Sequence, residues 1–386
     1  MSENSESLKL PIIIDLGSSE IKAGFSGDDK PSVIFKSHIG EPKYKEVFSS
    51  IQKENKKVQY IGDDCLKNIG IIKLRNIIKH GVLTSEQDIL PLFNTIYAKL
   101  GVNREEIENH PLFITEPLLN PYANREKICN TLFDDLGVPS VFFGAQPILS
   151  LFSTSNTSGT VLESGDGVTQ SCIVYEGFSL PNSYERFDYG GGEVTEFLKK
   201  ILKLKGYNFY ESNEYRLVND MKEKFCFFVP EKLNLDIENV KKALNFKKIN
   251  YYLPDGNSVL LGDERILASE VLFKPELMGK EYLGLSDIVL SSINKIEIQL
   301  RPKAFENIVL CGGNTAMKGL MERMEEEIKK KSNKIVKINV RNVKEPQLSC
   351  WIGGNIISTL DNFNKMSVNK KEWNEIGSRI VHIKTI

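Results

Sequence analysis

Short runs of β-branched and aliphatic residues that end in glycine or aspartate alternate along this chain with longer stretches whose apolar positions recur at helical spacing. That alternation predicts an α/β architecture, not an all-helical or all-strand one. Asn314 to Lys331 reads as a helix: Met317, Leu320, Met321, Met324 and Ile328 share one face, and Glu325, Glu326 and Glu327 precede Lys329, Lys330 and Lys331 by four residues. The charge run on that helix is expected to be a solvated face. Gly40–Tyr60 breaks the pattern. With five lysines and three glutamates and almost no aliphatic periodicity, it is expected to be a surface excursion that carries interactions.

One recurrence stands out although it has no fixed period. Ile12-Ile13-Ile14-Asp15-Leu16-Gly17-Ser18-Ser19 and Val161-Leu162-Glu163-Ser164-Gly165-Asp166-Gly167 share a buried strand, an acid near its end, a turn of small residues and a returning strand. Small residues let backbone N–H groups close around phosphate oxygens, and strand-end carboxylates can hold a hydrated divalent cation against the same phosphates. A single such hairpin is most simply a structural turn. Two of them, with a third glycine-rich turn at Ile308-Val309-Leu310-Cys311-Gly312-Gly313-Asn314-Thr315, point to function. A strand–Gly-Gly–helix junction permits close approach by a flat ligand, though it also serves as an ordinary tight turn. No GxxxxGK[ST] and no GxGxxG occurs, which disfavours a P-loop NTPase and a Rossmann dinucleotide fold.

Size and charge narrow the field further. At 386 residues and 43.7 kDa the chain exceeds what one core usually serves, so two domains or two large lobes are expected. Fifty basic residues against fifty-one acidic ones give a net charge of -1, too little field to hold a polyanion, so direct nucleic-acid binding is not expected. Apolar runs such as Pro11–Ile14 are too short to span a bilayer and Met1–Leu10 lacks a signal-like apolar stretch, so a soluble, unsecreted protein without membrane insertion is expected. Six cysteines without a CxxC are expected to be reduced, mostly buried thiols.

Over nearly its whole length the chain resembles actin and the actin-related proteins. Among the segments that carry the resemblance are Lys22-Ala23-Gly24-Phe25 with Asp28-Asp29-Lys30-Pro31, Thr115-Glu116-Pro117 through Asn124-Arg125-Glu126, and Gln146 to Ser153. Ser164-Gly165-Asp166-Gly167-Val168-Thr169, Trp351-Ile352-Gly353-Gly354 and the terminal Ile380-Val381-His382 complete it. Within the family, Leu204-Lys205-Gly206-Tyr207-Asn208-Phe209, Phe273-Lys274-Pro275-Glu276-Leu277-Met278-Gly279 and the tail Ile383-Lys384-Thr385 are more similar to the centractin branch, the filament-forming subunits of dynactin, than to conventional actin.

The resemblance implies the two-lobed fold shared with sugar kinases and heat-shock chaperone ATPases, four subdomains around a cleft holding ATP or ADP with Mg2+ or Ca2+. Subdomain 1 would comprise residues 1–36, 77–153 and 349–386, subdomain 2 residues 37–76, subdomain 3 residues 154–189 and 281–348, and subdomain 4 residues 190–280. Matched by position, Ser18, Ser19 and Lys22, then Asp166, Gly167 and Val168, would grip the phosphates. Gly191, Lys222, Glu223, Gly312, Gly313 and Met317 would line the nucleoside, Asp15, Gln146 and Glu163 would hold the hydrated metal, and Gln146 and Gln170 would take the catalytic positions. It further implies a cytoplasmic, cytoskeletal protein that self-associates or joins actin-family or dynactin-type partners, with the filament contacts on Gly40–Tyr60 and Leu272–Gly284, and a weak ATPase at most. A non-polymerising subunit of a nuclear chromatin-remodelling complex is the alternative. A small-molecule kinase would need a base for a substrate hydroxyl, and none is assignable.

The departures matter as much. Glu163 stands where the family usually has aspartate, and Gln170 where it usually has histidine, so the carboxylate is displaced by a methylene and the glutamine can orient a water but cannot take up its proton near neutral pH. Slow hydrolysis is expected. Gln347 replaces a lysine and Met317 a tyrosine on the adenine side, which predicts weaker base packing. The acidic cluster that opens conventional actin is reduced to Glu3 and Glu6, with Lys9 nearby, which removes the basis for expecting myosin-like docking.

Overall fold

The computed structural model describes residues 8–43, 60–68, 70–210, 212–230, 246–332 and 336–384. Two compact units divide the chain: unit 1 is residues 1–153 with 348–386, and unit 2 is residues 154–347.

Unit 1 is built on a six-stranded sheet ordered Val368–Asn369, Ser140–Ala145, Leu112–Glu116, Ile12–Leu16, Glu20–Phe25, Val33–Lys36. The three central strands run parallel, and Glu20–Phe25 folds back antiparallel on Ile12–Leu16 as a hairpin. All five residues of Ile12–Leu16 are buried, four of them aliphatic, as expected of a strand covered on both faces. One cover is helix Ile89–Leu100, which turns Ile89, Leu92, Phe93 and Ile96 inward and ends on Gly101 in the left-handed region. Helix Ser349–Ser358 brings in the fully buried Trp351, whose indole N–H donates to the Ile13 carbonyl at 3.1 Å. Gly353 lets that helix lie against Gln146–Phe152, since a Cβ there would sit 1.9 Å from the Leu149 carbonyl oxygen.

Unit 2 repeats the plan. Gly159–Ser164 and Thr169–Tyr175 form an antiparallel hairpin, Ile308–Cys311 pairs parallel with Gly159–Ser164, and Val340–Asn342 follows in parallel. Phe178–Ser179 and Glu185–Phe187 complete the sheet against Thr169–Tyr175. Helices Gly191–Leu204, Leu285–Asn294 and Leu320–Lys331 supply Val194, Leu198, Ile288, Val289, Met324 and Ile328 to its core.

Three expectations change. The helix foreseen from Asn314 begins at Leu320; Gly313–Ala316 is a tight 3-10 turn and Gly319 has φ +86°. Its charged side is not all solvated, because Arg323 and Glu327 are buried and paired with each other. The ends of the Gly40–Tyr60 excursion are strands, His38–Pro42 pairing with Ile72–Asn76 and Tyr60–Ile61, while residues 44–59 lie outside the described residues. All six cysteines are buried thiols, none in a disulfide. Among the described residues no helix is long and apolar enough to cross a membrane.

Candidate functional site

In unit 1 the hairpin register sets Asp15 directly opposite Lys22 and beside Thr115 on the parallel strand. Lys22 Nζ donates to Asp15 Oδ2 at 2.9 Å, and Thr115 Oγ1 donates to Oδ1 at 2.5 Å. Gln146, the first residue of its helix, extends its amide nitrogen to 3.3 Å from both Asp15 Oδ1 and Thr115 Oγ1. Asp15 and Lys22 are buried, at 3% and 8% exposure. Burial works against the Lys22 ammonium, but the charge and hydrogen bond of Asp15 outweigh it and lift the lysine above its ordinary range, so it stays charged. Ser18 and Ser19 lie half-buried on the turn between the strands, and the Gly81 N–H donates to Ser18 Oγ at 3.1 Å. That turn closes tightly: a Cβ on Gly17 would stand 2.4 Å from the Glu20 carbonyl oxygen.

Unit 2 gathers its residues around the second hairpin. Glu163 faces Gln170 across the two strands, and Gln170 Nε2 donates to Glu163 Oε2 at 2.9 Å. The turn at Gly165–Val168 is locked to the start of helix Gly191–Leu204, whose Gly191 and Gly192 N–H groups donate to the Gly165 and Asp166 carbonyls, each at 2.9 Å. Gly191 is hemmed in by polar groups: a Cβ there would lie 2.7 Å from Asn314 Oδ1, 3.0 Å from Lys222 Nζ and 3.4 Å from Asp166 Oδ1. Lys222 Nζ donates to the Gly191 carbonyl at 3.0 Å and stands 4.0 Å from Asp166 Oδ1. Asn314 reaches from the third glycine-rich turn to donate to Ser164 Oγ and the Gly165 carbonyl, at 2.9 and 2.7 Å. Gly312, with φ +85°, backs so closely on Ser164 that a Cβ would meet its carbonyl oxygen at 2.4 Å, whereas a Cβ on Gly313 would meet nothing within 4 Å.

The structure therefore brings Asp15, Lys22 and Gln146 together in unit 1, with Ser18 and Ser19 on the adjoining turn. In unit 2 it brings together Glu163 and Gln170, and, around the turn, Asp166, Gly167, Val168, Gly191, Lys222, Gly312 and Gly313. Two expected residues stand apart from these contacts. Glu223 is exposed and accepts from Asn219 Nδ2 at 2.7 Å, and Met317 packs, half-buried, against the core of unit 2. Two others were missed. Thr115 and Asn314 both bind site groups, and each lies inside a recognisable segment, but only strand order shows what it touches.

Each unit's donor set, taken by itself, is of the kind that suits phosphate oxygens and a hydrated cation. In unit 1 two hydroxyls lie on a turn closed tightly at Gly17, with the charged Lys22 on the returning strand, and in each unit the strand-end carboxylate is held by a fixed donor. A family model for actin matches residues 9–386, and the chain belongs to the actin family. Proteins of this family generally bind ATP or ADP with a divalent cation and associate with themselves or with other members.

Proposed function

We propose that this chain is a nucleotide-dependent assembly subunit of the centractin type, working in the cytoplasmic cytoskeleton as part of a filament or short filament with dynactin-type partners. The observation that carries the nucleotide part is the recurrence, in both units, of a buried strand-end acid held by a cross-strand donor beside a small-residue turn. Ser18, Ser19 and Lys22 from unit 1 and Asp166, Gly167 and Val168 from unit 2 would take the phosphates. Asp15, Gln146 and Glu163 would hold the cation's water shell, and Gly191, Lys222, Gly312 and Gly313 would take the nucleoside. The cation, when bound, neutralises phosphate charge.

Gln146, whose amide is held by Asp15 and Thr115, would align an attacking water, and Gln170 offers no proton acceptor, so hydrolysis should be slow. General acid–base help of that kind is worth roughly 10²–10⁴ in rate. The centractin-type assignment rests on the three sequence segments named above and on Leu277, which is 44% exposed on the short turn Pro275–Met278.

Calorimetry tests the nucleotide reading. The purified protein should take up ATP with Mg2+, and Asp15→Ala or Lys22→Ala should each weaken uptake by about tenfold or more, the worth of a charged hydrogen bond. Equal uptake by wild type and Asp15→Ala would show that the site has been misplaced. Gentle purification of the endogenous protein tests the assembly reading: dynactin-like companions support it, and remodeller components from nuclei replace it.

A further inference from the structure

The two hairpins occupy corresponding places in their sheets, and the residue opposite the strand-end acid differs between them. In unit 1 the acid is Asp15 and its cross-strand partner a lysine; in unit 2 the acid is Glu163 and its partner an amide, Gln170. Both members of the second pair are buried, at 7% and 1% exposure, and the amide nitrogen is 2.9 Å from Glu163 Oε2. On the far side of Gln170 the register places Arg186, so a carboxylate, an amide and a guanidinium residue follow one another across three strands.

A lysine opposite Glu163 would cancel its charge, as Lys22 does for Asp15. An amide orients the carboxylate and cancels nothing. The lengths also match: an aspartate at 163 would draw the carboxyl back by about 1.5 Å, one carbon–carbon bond, and carry it beyond hydrogen-bond reach of an unmoved Gln170. The long acid and the long amide are thus a fitted pair, and neither explains the other's presence alone.

We propose that Gln170 is a positioning residue for the divalent cation: its amide holds Oε2 of Glu163, so that the carboxylate presents its other oxygen to the cation's water shell in one orientation. This rests on the nucleotide–cation reading above and adds a role for Gln170 distinct from any contact with the attacking water. Donors that orient a metal-binding carboxylate from behind typically carry 10–100-fold in metal affinity.

The test is a cation titration of the ADP-loaded protein, with Mg2+ and with Ca2+, by calorimetry, alongside nucleotide affinity in EDTA and a thermal melt. Gln170→Met, which keeps the bulk and removes the donor, should lose about tenfold or more in Mg2+ affinity. Gln170→His, whose ring N–H can still donate, should retain most of it. Glu163→Gln should lose at least as much as Gln170→Met, and adding Gln170→Met to it should cost nothing further, because the two act as one unit. Nucleotide affinity in EDTA and the melt separate a loss of cation affinity from a change in nucleotide binding or in folding. The proposal is overturned by wild-type Mg2+ affinity in Gln170→Met, by equal losses in the Met and His variants, or by additive losses in the double variant. If Glu163→Gln loses the cation and Gln170→Met does not, this role for Gln170 fails while the functional reading stands. A wild type that binds no nucleotide defeats both.

Discussion

Two adjacent glycines should respond in opposite ways to the same added methyl group. Gly312 is left-handed and packed on the Ser164 carbonyl, so Gly312→Ala meets both a backbone penalty of about 1–2 kcal/mol and a clash that must be relieved by moving the hairpin. Gly313→Ala meets no protein atom. Its melting temperature should stay at the wild-type value, within about 0.5 kcal/mol of stability, while ATP affinity falls if the open space over Gly313 is where the nucleoside rests. Thermal melts and calorimetry on the two variants separate folding from binding at neighbouring positions.

At the level of elements, helix Leu320–Lys331 carries a buried ionic network into the core of unit 2. Arg323 donates to Glu327 at 2.7 Å, to Glu270 at 3.0 Å and to the Val229 carbonyl at 3.0 Å, and Ser286 donates to Glu327 at 2.6 Å. Arg323→Leu leaves two buried carboxylates without their shared cation and should cost about 3–5 kcal/mol in chemical denaturation. The two acids are shifted in opposite directions. Burial pushes Glu327 up, but Ser286 and Arg323 outweigh it and hold its carboxyl below the ordinary 4.5. Its contribution is therefore full above that value and lost as pH falls through the lowered one. For Glu270 burial prevails over Arg323 and Lys274 and the carboxyl is raised, so its contribution weakens as pH rises from 4.5. Glu327→Gln should lower stability at pH 7 and flatten the acid limb of the stability profile, measured by denaturant titration from pH 3 to 7.

The same helix shows what could be read in advance. Leu320, Met324 and Ile328 are fully buried, as their spacing indicated. Its start was misplaced because Asn314 and Thr315 turn their side chains onto nearby polar groups, Thr315 donating to the Gly312 carbonyl at 2.8 Å. Arg323 and Glu327 looked like surface charges since their partners arrive from other elements. The candidate site divides likewise: strand-end acids and small turns are local and legible, whereas Thr115 beside Asp15 depends on strands a hundred residues apart.

For the whole molecule, a ligand that binds only the folded chain adds stability by mass action, about 2.7 kcal/mol at a hundredfold excess over Kd. ATP with Mg2+ should accordingly raise the melting temperature by several degrees, and Lys22→Ala should blunt that rise. Assembly makes a second whole-molecule demand. Of the adjacent apolar residues on the turn Pro275–Met278, Met278 packs against the core of unit 2 and Leu277 stands out. Leu277→Asp alone should therefore abolish sedimentable polymer while leaving nucleotide affinity intact. A wild type that stays monomeric at every concentration would remove the filament reading.

The burial of Trp351 gives the protein a private optical label. The chain has two tryptophans, Trp351 and Trp373, and both belong to unit 1. Trp351 is anchored on the strand that carries Asp15, and Trp373 stacks on Phe133 with ring centroids 5.1 Å apart. Excited at the red edge of its absorption, the protein emits from unit 1 and unit 2 is dark. Emission and circular dichroism followed through one melt consequently report one unit and the whole chain, and the separation of the two midpoints measures how tightly the units unfold together.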